Sequence, residues 1–151
     1  MTGLDVLIEN NCLQLKGKRV GLITNQTGVT SKMVQNINAF TKSENVDLKA
    51  IFSPEHGLFG SVSAGEKIYN KTDSVYGIPL YSLYGNNKKP NKDMLKNLDI
   101  LIFDIQDIGI RSYTYISTMG LAMEATQEVG LEFMVLDLSL IHISEPTRQA
   151  E

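Results

Sequence analysis

The run Leu98-Asp99-Ile100-Leu101-Ile102-Phe103-Asp104-Ile105 restricts the fold more than any other stretch. Between its two aspartates four residues are apolar without polar alternation, the pattern of a strand covered on both faces. Arg19-Val20-Gly21-Leu22-Ile23-Thr24 follows the break at Gly17 and reads as a second buried strand. Asp47 to Phe52 and Leu131 to Asp137 are two more, and Ile78 to Tyr84 is strand-like, with Pro79 marking an edge or a strand start. Helical patterns lie between them. Met33, Val34, Ile37 and Phe40 form one stripe behind a Thr30 or Ser31 cap. Asn91 or Lys92 opens a short helix through Met94 and Leu95. Ile116, Met119, Met123 and Thr126, flanked by Ala122 and Val129, give a third face, which Gly130 ends. Leu4, Leu7 and Ile8 suggest a further short helix at the start. Strands alternating with helices imply an α/β, Rossmann-like fold: a mostly parallel sheet with helices on both faces.

The 151 residues suffice for one domain with a real core. Net charge is −3 with both signs interspersed, which argues against a nucleic-acid partner, since such binders carry a basic patch. One cysteine, Cys12, excludes an internal disulfide and a cysteine-rich zinc site, and reads as a small buried hydrophobe. No apolar run is long enough to span a bilayer, and no signal peptide precedes Gly3. Residues 61–77 lack a period and read as a long surface excursion, more often functional than idle in a compact domain.

Two loops at strand ends carry the chemistry. The first is Ser53-Pro54-Glu55-His56-Gly57-Leu58-Phe59-Gly60. Pro54 disfavours helix before it, and the glycines permit a sharp turn, so Glu55 and His56 are expected at a strand's carboxyl end. In open α/β sheets ligands bind along that edge. Glu55 reads either as an acid/base with its pKa raised by burial, or as a helix cap with His56 satisfying a backbone group. The second loop, Asp104 to Tyr115, contains Gln106, Asp107, Arg111, Tyr113 and Tyr115. Asp104 again ends a strand. Arg111 reads either as a bidentate clamp for a substrate carboxylate or as the partner of Asp107 in an internal pair, with Tyr113 and Tyr115 as packing residues.

Other candidates are weaker. Asn25 and Thr27 could face the same cleft, but neither G-x-G-x-x-G nor a P-loop lysine occurs. Glu55, His56, Asp104 and Asp107 would make a one-histidine metal site, unusual for zinc, because His142 lies far along the chain. Ser53 lacks the G-x-S-x-G context of a nucleophile. No metal and no cofactor is expected.

Several motifs together resemble the exo-β-N-acetylmuramidase family of bacterial cell-wall glycosidases. They are Gly-Leu-Ile-Thr-Asn-Gln-Thr-Gly at 21–28, Ser-Pro-Glu-His-Gly-Leu-Phe-Gly at 53–60, Ala-Gly-Glu at 64–66, Tyr-Ser-Leu-Tyr-Gly at 81–85 and Phe-Asp-Ile-Gln-Asp-Ile-Gly-Ile-Arg-Ser-Tyr-Thr-Tyr at 103–115. The resemblance runs from about Gly3 to Asp137. It implies a Rossmann-like N-terminal domain, here residues 1–137, with the active site in a cleft against a smaller C-terminal domain absent from this chain. It implies removal of N-acetylmuramic acid from the non-reducing ends of peptidoglycan fragments, so muramic-acid saccharides are the expected partners. Glu55 matches the family's proposed catalytic glutamate, with His56 beside it. Asp104, Gln106, Asp107 and Arg111 match its acidic-and-arginine loop. Arg111 could then pair with the lactyl carboxylate of muramic acid. Family members are often exported, which leaves location open.

The match stops after Asp137, where Leu138 stands in place of the family's arginine. Residues 138–151 show neither period nor partner and resemble the translation of a transposase sequencing adapter, so they are expected to be non-native. Such a fragment would carry half a cleft and could be inactive alone. Two other readings of the scaffold remain open: a non-catalytic carbohydrate- or nucleotide-binding module, and a metal-dependent hydrolase.

Overall fold

A computed structural model describes residues 3–24, 35–54, 74–75, 77–83, 88–105, 112–136 and 141–144. In chain order the elements are α1 (Gly3–Glu9), a 3-10 turn (Leu13–Leu15), β1 (Arg19–Thr24), α2 (Asn36–Lys42), β2 (Asp47–Ser53), β3 (Ser74–Val75), β4 (Ile78–Ser82), α3 (Lys92–Leu95), β5 (Ile100–Asp104), α4 (Ser112–Val129), β6 (Glu132–Leu136) and β7 (Ile141–Ser144). The strands lie in the order β3-β4-β2-β1-β5-β6-β7. The five central strands β4, β2, β1, β5 and β6 are parallel, and β3 and β7 add antiparallel edges. The expected α/β, Rossmann-like sheet is therefore present.

Strand alternation divides the core into two. Val20, Leu22, Ile100, Ile102, Met134 and Leu136 pack with Leu4 and Leu7 of α1 and Ile37 and Phe40 of α2. Ile23, Leu101, Phe103 and Phe133 point the other way, onto Leu95 of α3 and Ala122 and Ala125 of α4. Each buried Leu, Ile or Phe contributes about 1.5–3 kcal/mol, which is why a strand such as β5 tolerates no polar residue between its ends. Gly21 also faces the α3–α4 layer. A Cβ there would meet Leu98 Cδ1 at 2.6 Å, so the bare backbone lets that layer approach β1.

Local signals explain most boundaries. The Asn91 side chain accepts the Met94 N–H at 2.9 Å and caps α3. Gly130 adopts φ +77°, the left-handed stop expected after α4.

Four expectations are corrected. The described part of α2 begins at Asn36 behind an extended Gln35, not at a Thr30 or Ser31 cap. Helix α4 already starts at Ser112, so residues 112–115 are helical rather than loop. The face expected for α4 holds at Met119, Ala122, Met123, Thr126 and Val129, but Ile116 turns outward and is 59 % exposed, while Thr118 and Ala125 are buried. Of the two roles expected for Pro79 the strand start holds, since it is the second residue of β4, while β4 is not an edge because β3 pairs beside it through Ser74↔Pro79. Finally, residues 141–144 do have a partner, because β7 pairs antiparallel with β6 from Leu136↔Ile141 to Phe133↔Ser144. The alternation Ile-His-Ile-Ser is compatible with a strand, and β6 offers an unpaired edge.

Candidate functional site

Strand order fixes where a ligand crevice belongs. From β1 the chain moves outward to β2 and then β4, and it returns through α3 to β5 on the other side of β1. The order reverses between β1 and β5, and ligands of such sheets bind outside the carboxyl ends at that switch point. The carboxyl-terminal residues there are Thr24 and Asp104, which are register partners. One strand farther, β2 ends at Ser53, paired with Ser82 of β4.

These ends are polar, yet Thr24, Ser53 and Asp104 are all 0 % exposed. By alternation Thr24 follows Val20 and Leu22, and Asp104 follows Ile100 and Ile102, so both side chains face the layer containing α2. There they meet Asn36, the first residue of α2, itself buried. The Asn36 Nδ2 donates to Thr24 Oγ1 at 2.7 Å and to Asp104 Oδ2 at 2.7 Å. The Thr24 hydroxyl donates to the Asp104 carbonyl oxygen at 3.2 Å. Buried polar groups are costly unless bonded, and this ring bonds three of them to one another.

Among the described residues, ion pairs lie at the opposite edge. Arg19 Nε and Nη2 donate to Asp99 Oδ2 and Oδ1, each at 3.0 Å, and the Arg19 N–H reaches Oδ2 at 2.7 Å. The guanidinium and that N–H hold the Asp99 carboxyl down at about 2. Lys18 Nζ pairs with Glu132 at 2.7 Å, joining the starts of β1 and β6. A cavity of about 490 Å³ lies between the end of α1 and the end of α2, lined by Ile8, Cys12, Lys42 and Asn45 among others. It is separate from the switch point, and burial pushes the Cys12 thiol up, away from nucleophile range.

Of the residues singled out from sequence, Asp104 stands at the carboxyl edge as expected, buried and bonded to Asn36. Tyr113 falls in the first turn of α4, its side chain outside the described residues. Glu55, His56, Asn25, Gln106, Asp107 and Arg111 also lie outside them. Asn36 and Thr24 were not singled out. Their signal was a polar residue directly before the apolar pair position Ile37, and a threonine in strand phase with Leu22. Among the described residues no three His, Cys, Asp or Glu side chains gather as metal ligands, and no helix is long and apolar enough to cross a membrane.

A family model described as the N-terminal part of the exo-β-N-acetylmuramidase NamZ matches residues 20–141. The peptidoglycan β-N-acetylmuramidase NamZ of Bacillus subtilis (strain 168) is 51% identical over 136 residues, 90% of this chain and 33% of that protein. Two crystal structures of DUF1343 family proteins from Bacteroides fragilis NCTC 9343 share the fold. One superposes with a TM-score of 0.77 at 52% identity, over 89% of this chain and 33% of its own. The other reaches 0.68 at 33% identity, with the same coverage. The chain thus spans about a third of the length of the relatives it matches.

Proposed function

The chain belongs to the exo-β-N-acetylmuramidase family, and from that membership we propose that it is the N-terminal part of a glycoside hydrolase that removes N-acetylmuramic acid from the non-reducing ends of peptidoglycan fragments. The observation that carries the proposal is the 51% identity to the Bacillus peptidoglycan muramidase, extending over 90% of the chain. The coverage of only 33% of that relative supports a second proposal, that residues 1–137 form one wall of the cleft and a further domain the other.

Hydrolysis of a glycosidic bond ordinarily uses two carboxyl groups, one to protonate the leaving oxygen and one to assist water or attack carbon. Glu55, in the segment that leaves the carboxyl end of β2, is our candidate acid, with His56 beside it. Asp104, at the end of β5, is the candidate second carboxyl. Arg111 would pair with the lactyl carboxylate, the group that separates muramic acid from other hexosamines. Asn25, Gln106, Asp107 and Tyr113 would line the remaining wall.

The test uses the full-length protein and a chromogenic muramic-acid glycoside, with and without chelator. Release should survive the chelator. Glu55→Gln should lower kcat by about 10²–10⁴-fold while leaving substrate binding intact, as expected for loss of a general acid. Unchanged turnover would remove Glu55 from the mechanism. Binding without any release by the wild type would leave a carbohydrate-binding module instead. The 151-residue chain alone should bind weakly and release nothing.

A further inference from the structure

We infer that Asn36 is the positioning residue for the Asp104 carboxyl, holding its Oδ2 toward α2 and so fixing the plane of the group. The catalytic meaning of this inference rests on the muramidase reading above. The positioning itself rests on geometry alone.

A primary amide nitrogen carries two hydrogens in one plane, and Asn36 uses them on two different strands. One goes to Thr24 Oγ1 at the end of β1 and the other to Asp104 Oδ2 at the end of β5, both at 2.7 Å. The two acceptors are register partners, so a single side chain spans the switch point. All three residues are buried, with Asn36 only 1 % exposed, so bulk water does not compete for either hydrogen. The Thr24 hydroxyl completes the ring through its bond to the Asp104 carbonyl oxygen at 3.2 Å.

The chemistry of the ring assigns a direction. An amide hydrogen can meet only an acceptor, so Asp104 Oδ2 is held as the acceptor oxygen. Asn36 therefore sets the orientation of the carboxyl. No other short side chain does the same: serine offers one hydrogen, aspartate offers none when ionised, and leucine offers none at all.

The test compares two near-isosteric variants of the full-length protein. Asn36→Leu removes both donors. Thr24→Val removes the hydroxyl but keeps the amide-to-carboxylate bond. Crystal structures should show the Asp104 carboxyl turned away from its present orientation in Asn36→Leu and unmoved in Thr24→Val. Asn36→Leu should lose about 10- to 100-fold in kcat, the cost of a misplaced group, with KM within threefold. Thr24→Val should keep kcat within threefold even where its Tm falls as far. An unmoved Asp104 in Asn36→Leu overturns the inference, as does an equal kcat loss in both variants. If Asn36→Leu fails to fold, Asn36→Ala gives the same structural answer, since alanine also offers no hydrogen. Asp104→Asn run alongside separates the two levels: full kcat there removes Asp104 from the reaction, while the crystal structures still decide the positioning.

Discussion

Gly21 sits in β1 beside the switch point, and replacing it with alanine is a direct measure of how closely the α3–α4 layer is pressed onto the sheet. The added Cβ would lie 2.6 Å from Leu98 Cδ1, 3.0 Å from Leu101 Cδ1 and 3.3 Å from Phe52 Cε1. Carbon atoms pack best at roughly 3.5–4.0 Å, so the first contact is about 1 Å too short. Two gains oppose the clash. Burying one methyl is worth about 0.8 kcal/mol, and restricting the unfolded chain about 0.4–1 kcal/mol. Overpacking a filled core costs about 1–3 kcal/mol, and the three directions of contact put this site toward the upper end.

The leucine ends are flexible, but Leu98 is 4 % exposed and Leu101 and Phe52 are 0 %, which leaves little space to rotate into. Gly21→Ala should therefore lose about 1–2 kcal/mol, taking the overpacking cost near 3 kcal/mol against the two gains. For a chain of this size that is a fall in Tm of roughly 3–8 °C by calorimetry. Trimming Leu98 to alanine in the same molecule should cost less than it does alone, by about 1 kcal/mol, because the clash and the cavity cancel. A Gly21→Ala protein that melts at or above the wild type would refute the packing argument.

Two further predictions concern groups away from the switch point. The Asp99 carboxyl is held at about 2, below its unfolded value, so the folded chain binds fewer protons between pH 2 and 4. Its contribution is complete above pH 4 and fades as pH falls through 2. A fully shielded carboxylate so shifted would contribute about 2.4 kcal/mol, but this one is 40% exposed, which discounts the figure to about 0.5–1 kcal/mol. Urea titrations at pH 5 and pH 2.5 should show Asp99→Asn losing that part of the acid slope, and an unchanged slope would remove Arg19 as its cause. Burial raises the Cys12 thiol, so native protein should react with a thiol reagent far more slowly than protein in urea; equal rates would mean the residue is open to solvent.

The sheet was legible in sequence because each buried strand carries its evidence locally. Ile100, Leu101, Ile102 and Phe103 must be covered on both sides whatever their neighbours are, and five strands were located by that logic. What escaped depends on partners far along the chain. Asn36 bonds residues 12 and 68 positions away, and no local pattern announces such a pair. The outward turn of Ile116 in α4 escaped for a similar reason. Ile116 and Met119 look equally apolar in a helical stripe, and only the small residues Ala122 and Ala125, pressed on the sheet, decide that Ile116 turns outward. At the candidate site sequence gave the edge and the aspartate at the end of β5. Glu55, His56, Asp107 and Arg111 belong to stretches without a period, where residue type suggests a role but no pattern fixes a position.

A buried carboxylate at the switch point is not what stability alone would select. The exposed pairs at the amino edge, Arg19–Asp99 and Lys18–Glu132, join strand starts without desolvating their charges fully. Asp104, Asn36 and Thr24 join strand ends while 0–1 % exposed, and each is bonded to the other two. Removing one member strands its partners, at about 1–3 kcal/mol for each unsatisfied group, whereas removing all three together strands none of the three. Replacing such buried networks by apolar residues of similar volume is often neutral for stability. The combined variant Thr24→Val, Asn36→Leu, Asp104→Leu should therefore be more stable than the sum of its single changes by about 1–3 kcal/mol in urea titrations, a coupling of the size seen within one network. It should also release no muramic acid when placed in the full-length protein. Strict additivity would mean that the three residues act separately, and the case for a preorganised polar point at the head of β1 and β5 would then lose its basis.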